Sequence, residues 1–114
     1  MNKLTFGQFG IMSVNYQQYS LGYCLDSIAK NGFNYIDFWG GAPHYCAFDT
    51  PVSKRQKRVL DIRRMLDERG LKMSVVTAEQ ICLYPINVAS SNPYVRKKSL
   101  EIVKNYIGDT KEFG

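Results

Sequence analysis

The chain has 114 residues, 45% of them apolar and 22% charged, with a formal net charge of +5. That suffices for one small domain with a hydrophobic core and is too apolar for a disordered chain. No apolar run approaches the ~20 residues of a membrane-spanning helix, and the opening MNKLTFGQFG lacks a signal-peptide pattern, so the sequence reads as intracellular and cytoplasmic.

Residues 4–14, LTFGQFGIMSV, alternate and then run apolar, which predicts a first strand. Ser20 then precedes Leu21, Cys24, Leu25, Ile28 and Ala29, the stripe of an amphipathic helix capped by Ser20. Gly32 closes that helix where positive φ is wanted. Phe33 to Trp39 reads as the second strand, after which the chain breaks on Gly40-Gly41 and turns at Pro43. Ser53-Lys54-Arg55-Gln56 has the form of a capping box. The helix behind it buries Val59, Ile62, Met65 and Leu66, and Gly70 ends it. Leu71 to Thr77 is the third strand. Asn92 caps and Pro93 opens a third helix through Val95, Ser99, Ile102, Val103, Tyr106 and Ile107.

The order is βαβαβα, which implies parallel strands joined by crossover helices. Three strands leave two open sheet edges, and a complete eight-unit barrel takes about 250 residues. The expectation is a single partial domain over residues 1–114, the first three units of a longer (β/α)8 fold. The alternative is a complete three-strand α/β domain. In parallel α/β folds chemistry sits beyond the C-terminal ends of the strands. That puts 12-MSVNYQQY-19, 39-WGGAPHY-45 and 77-TAEQICLYPIN-87 on one face, all rich in polar and aromatic groups. The opposite turns, Asn31-Gly32 and Arg69-Gly70, are short and plain.

Cys24, Cys46 and Cys82 are odd in number and widely spaced, which argues for reduced thiols. Their spacing, even with His44, matches no zinc-ribbon pattern. Seven of the fifteen basic residues lie between Lys54 and Arg69. With no aromatic residue interleaved to stack bases, and with Asp61, Asp67 and Glu68 among them, they read as a solvated helix face and not as a nucleic-acid surface. Neither phosphate-loop glycine spacings nor HExxH or GxSxG occur.

The block 32-GFNYIDFWGGAPHY-45, the basic helix after it, 77-TAEQICLYPINVA-89 and 96-RKKSLEIVKNYI-107 together resemble the sugar isomerase/epimerase group of xylose isomerase-like TIM barrels. Within that group the likeness is nearest to fructoselysine 3-epimerase-like proteins. It covers nearly the whole chain in order and spacing. Ala78 departs from the pattern, which has proline there. The resemblance implies a (β/α)8 barrel that moves a proton at the carbon next to a sugar carbonyl. Two carboxylates would act as base and acid, with a divalent metal (Mn, Mg, Co or Zn) polarising the substrate oxygens. The metal and acid/base residues of the group belong to later strands, so this chain is expected to hold no catalytic or metal-ligating residue and to be inactive alone.

What remains is one wall of a sugar site. His44, the only histidine, is a candidate substrate contact behind the Gly-Gly turn, with an exposed loop histidine as the alternative. Trp39 and Tyr45 offer apolar faces to sugar C–H groups, or pack in the core. Asp37 lines the pocket base or makes a structural polar contact. Glu79 binds substrate or is a solvated loop carboxylate. Tyr84 and Asn87 close over the substrate or serve as turn residues. Arg96 binds a substrate anion or is a surface arginine. Two other functions remain open. One is an abasic-site endonuclease of the same superfamily, disfavoured by the single histidine because that chemistry uses three zinc ions. The other is a non-enzymatic interaction module self-associating through its open sheet edges.

Overall fold

The computed structural model describes residues 3–79 and 86–114. It contains three strands, β1 (Gly10–Met12), β2 (Tyr35–Gly40) and β3 (Lys72–Ala78), and three helices, α1 (Leu21–Lys30), α2 (Val52–Asp67) and α3 (Pro93–Phe113). The strands form one sheet in the order β1-β2-β3, and both pairings are parallel. The chain is thus an α/β protein of βαβαβα order.

Each helix starts and stops for a local reason. Ser20 Oγ accepts from the Tyr23 amide at 3.2 Å and opens α1. Asn92 Oδ1 accepts from the Tyr94 amide at 2.9 Å ahead of Pro93, opening α3. Gly32 and Gly70 end the first two helices with φ of 82° and 63°, left-handed values that a side chain would strain.

Two expected features differ. The first strand spans three residues, not the apolar run of 4–14. Phe6–Gln8 and Ser13–Tyr16 are 3-10 turns on either side of it. The Gln8 side chain accepts from the Thr5 amide at 2.8 Å, so the segment before the strand satisfies its polar groups by turning. The capping box at Ser53 also does not form. Helix α2 enters two residues earlier, from an extended Pro51, and no side chain caps it. The amides of Lys54 and Arg55 instead both donate to the Pro51 carbonyl, at 2.8 and 3.0 Å.

All three helices lie against the same side of the sheet. Ile36 and Phe38 of β2 are fully buried in a single core with Leu21, Cys24, Leu25 and Ile28 of α1. Val59, Ile62 and Leu66 of α2 complete it with Ile102, Tyr106 and Phe113 of α3. Each fully buried large apolar side chain contributes about 1.5–3 kcal/mol. Parallel strands taken in sequential order, with crossovers of one hand, put every helix on one face. The alternate residues of β2, Tyr35, Asp37 and Trp39, lie on the other face and are less buried. Register adds Met12, Val75 and Thr77 to that face, and Val75 is 52% exposed. No described helix covers it.

Candidate functional site

The candidate residues on β2 and in the segments after β2 and β3 occupy three separate places. Asp37 and Trp39 share the uncovered sheet face. Asp37 Oδ1 accepts from Thr77 Oγ1 at 2.9 Å, and both residues are half-buried. The Trp39 amide donates to Ser13 Oγ at 2.8 Å, which ties the end of β1 to the end of β2. Gly41 is required beside that ring. A Cβ there would sit 2.3 Å from Trp39 Cζ2.

Glu79 and Asn87 line a second cavity of about 290 Å³ with Ile102, Val103 and Tyr106. Glu79 is 2% exposed, so it is no solvated loop carboxylate. The Asn87 amide donates to Ser99 Oγ at 2.9 Å while its Oδ1 accepts from the Ala89 amide, a turn-forming use of the side chain. Tyr84 lies outside the described residues, as does Cys82.

His44 occupies the third place. It is 1% exposed and so is not a free loop histidine. Its Nε2 lies 3.1 Å from the Tyr19 carbonyl oxygen, and its own carbonyl accepts from Arg58 Nη2 at 2.7 Å. A carbonyl can only accept, so Nε2 carries a proton. Nδ1 is the only buried side-chain nitrogen or oxygen without a hydrogen-bond partner among the described residues. His44 lines a cavity of about 330 Å³ together with Pro43, Thr50, Lys54 and Arg58.

Two further residues are structural. Tyr45 is buried in the core and donates its hydroxyl to Asp109. Arg96 donates to the Ser90 and Ser91 carbonyls and holds the turn before α3.

The sequence reading missed a buried polar network that joins β2, α2 and α3. Asp109 accepts from Tyr45 on one oxygen and from Arg55 Nε at 3.2 Å on the other. Tyr106 donates to the Gly40 carbonyl, lies 3.7 Å from Cys46 Sγ, and accepts from the Ala47 amide at 3.4 Å. Burial, then the Asp109 carboxylate, pushes the Tyr45 hydroxyl far above its ordinary value. Burial, then the Cys46 thiol, does the same to Tyr106. Burial also raises the Cys46 thiol, which keeps it protonated and inert as a nucleophile. One signal was available. Asp109 falls on the stripe Ile102, Tyr106, Asp109, Phe113, where a lone carboxylate among apolar residues needs a partner.

The resemblance implies a divalent metal, and the described residues do not fit one. No three His, Cys, Asp or Glu side chains among them gather closely enough to hold an ion. Among the described residues no helix is long and apolar enough to cross a membrane. The chain matches no family model, no curated protein and no solved structure.

Proposed function

We propose that this chain forms the first three βα units of a (β/α)8 barrel that isomerises or epimerises a sugar. One observation carries the reading: three parallel strands in sequential order have all their helices on one face, with Asp37, Trp39 and Thr77 on the other. A doubly wound sheet would have helices on both faces. In a barrel the uncovered face becomes the interior, and its C-terminal rim is the place for chemistry.

The stripe Leu100, Val103 and Ile107 on α3 supports the same reading. Leu100 and Ile107 are 48% and 65% exposed, and a fourth unit would cover them. The likeness of the WGGAPH and Thr77–Asn87 segments to the sugar isomerase/epimerase group supplies the reaction class. On this reading the chain contributes a wall. Trp39 presents a flat apolar surface on the inner face. The Asp37–Thr77 pair lies deeper on the same face and can take a sugar hydroxyl. The proton-transferring groups and metal ligands belong to later strands.

The test is the reading frame past residue 114. The proposal expects an apolar strand at once, followed by further βα units with Glu, Asp and His at strand ends. A stop codon in a well-expressed gene, or a continuation without βα periodicity, contradicts it.

A further inference from the structure

We propose that the 114-residue chain docks head to tail, with the exposed outer stripe of α3 in one copy seated on the aromatic groove between β1 and α1 of a second copy. Among the described residues β1 and β3 pair on one side only, and they are opposite ends of the sheet. Docking of this kind needs no sugar chemistry and goes beyond the function proposed above.

The receiving surface lies beside β1. Phe6, Ile11, Tyr16, Ile28 and Phe33 line a groove of about 250 Å³ there. The Phe6 and Phe33 ring centroids stand 5.3 Å apart. Tyr16 continues the aromatic surface to Tyr19 and Tyr23, with centroids at 6.3 and 6.4 Å. Tyr23 and Ser27 stand four apart on α1, on a side turned away from Gly22, which faces Met65 of α2. No Asp, Glu, Lys, Arg or His occurs in residues 4–25. Charge depletion with enriched aromatic residues is the composition of an interface core. Leu4, Phe6, Phe9, Tyr19 and Tyr23 are between 45% and 72% exposed. With roughly 200 Å² for each large side chain, apolar area on the order of 500 Å² stands open. A standard interface buries about 800 Å² per partner, and the free backbone edge of β1 adds to the side chains.

The inserting surface is α3. Leu100, Val103 and Ile107 share one side of it. Asp109 and Glu112, which α2 reaches through Arg55 and Arg63, lie on the opposite side. Charge selects the partner. Lys97, Lys104 and Lys111 stand seven apart beside the apolar stripe, all exposed. A twofold pairing of two β3 edges would lay two such lysine rows against each other, and like charges disfavour it. The β1 side offers an uncharged surface instead. A second copy placed there continues the parallel sheet in the order β2-β3-β1-β2, and α3 meets α1 as α1 meets α2 within one chain. The first unit of the second copy then stands where a fourth unit would. Such a heterologous contact keeps adding copies unless a ring closes.

Phe6→Lys spoils the groove and Ile107→Lys spoils the stripe, and both side chains are exposed. Sedimentation equilibrium is run on each variant and on their equimolar mixture, at concentrations where the wild-type chain associates. Each variant alone should stay near 13.1 kDa, its association weakened at least about tenfold. The mixture should reach twice that mass and no more, because the intact stripe of Phe6→Lys fits the intact groove of Ile107→Lys. Near-UV circular dichroism checks that each variant is folded. Asn31→Lys, on the same groove and exposed, replaces Phe6→Lys if that variant does not fold. Ile107→Lys dimerising by itself would assign the interface to two β1 sides and overturn the proposal. Both variants associating like the wild type would assign it to the sheet face and overturn it too. A mixture that stays monomeric, or a wild-type chain monomeric throughout, does the same. None of these outcomes bears on proton exchange beside a carbonyl, so the isomerase reading stands or falls separately.

Discussion

Tyr106 donates its hydroxyl to the carbonyl of Gly40, and its ring fills the space where a side chain at Gly40 would stand. A Cβ on Gly40 would lie 2.5 Å from Tyr106 Cε1. The first glycine of the Gly-Gly pair is therefore the seat for α3 on the end of β2. The second, Gly41, makes room for the Trp39 ring. Gly40→Ala should destabilise the fold by about 1–3 kcal/mol, because the buried Tyr106 ring cannot yield without displacing α3. Gly41→Ala should cost less, since Trp39 is only half-buried. Urea unfolding of the two variants checks the order, and equal midpoints would contradict it.

The Tyr45–Asp109–Arg55 network gives a second contrast. Asp109→Ala leaves the Arg55 charge and the Tyr45 hydroxyl without their shared partner. The cost should be about 3 kcal/mol. Tyr45→Phe keeps the ion pair and should cost about 1 kcal/mol. Lys57 and Asp61 form a shorter pair, at 2.7 Å, with the lysine exposed on α2. Lys57→Ala should change stability by less than about 0.5 kcal/mol. Chemical denaturation of the three variants tests the ranking, which places burial above distance.

Stability should hold near neutrality and fall in alkali. Burial pushes the Cys24 thiol from its ordinary 9.0 up to about 11, and the Cys46, Tyr45 and Tyr106 protons are also held more tightly in the fold. Above pH 9 the unfolded chain releases these protons first. The folded state then binds more protons than the unfolded one, and unfolding free energy drops as pH rises. The Cys24 contribution is fully present below pH 9 and is lost as pH climbs through 11. Urea midpoints should be steady from pH 7 to 8.5 and decline from pH 9 upward, less steeply in Cys24→Ala. A flat profile to pH 11 would contradict the burial of these groups.

The helices were legible in the sequence because their evidence is local. Ser20, Asn92-Pro93, Gly32 and Gly70 sit where a period of 3.6 demands a start or a stop. The first strand is shorter than its pattern suggests because Leu4 and Phe6, then Phe9 and Ile11, stand two apart as in a strand, while the Gln8 side chain favours a 3-10 turn between them. The box at Ser53 lost to Pro51, whose fixed φ already suits a helix entry. The site was less legible. Asp109 meets Arg55 across 54 residues and Tyr45 across 64, which no window of sequence reveals. His44 had the right neighbours for a loop, but its burial depends on the Tyr19 carbonyl and the Arg58 guanidinium. Glu79 and His44 follow the C-terminal ends of β3 and β2, as the unit order implies, while Asp37 lies within β2. Which of them share a cavity is set by side-chain direction, and that was not readable.

The uncovered sheet face should drive self-association of the 114-residue chain. Val75 and Tyr35 lie exposed on it beside Trp39, and both β1 and β3 keep an unpaired edge. Sedimentation should show mass rising with concentration. Val75→Lys, which places a charge on that face, should shift the chain toward monomer. A monomer at every concentration would mean that the face needs no cover, which favours a complete three-strand domain.

The central claim is that this chain builds part of a barrel that moves a proton beside a sugar carbonyl. The direct measurement uses the polypeptide encoded by the frame continued past residue 114, with Mn²⁺, in D2O. Ketopentoses, ketohexoses and their phosphates are supplied as substrates. Deuterium should enter the carbon next to the carbonyl of at least one of them, and Trp39→Ala should slow its entry by about tenfold or more. The continued polypeptide, folded and metal-loaded, leaving every ketose undeuterated would contradict the account.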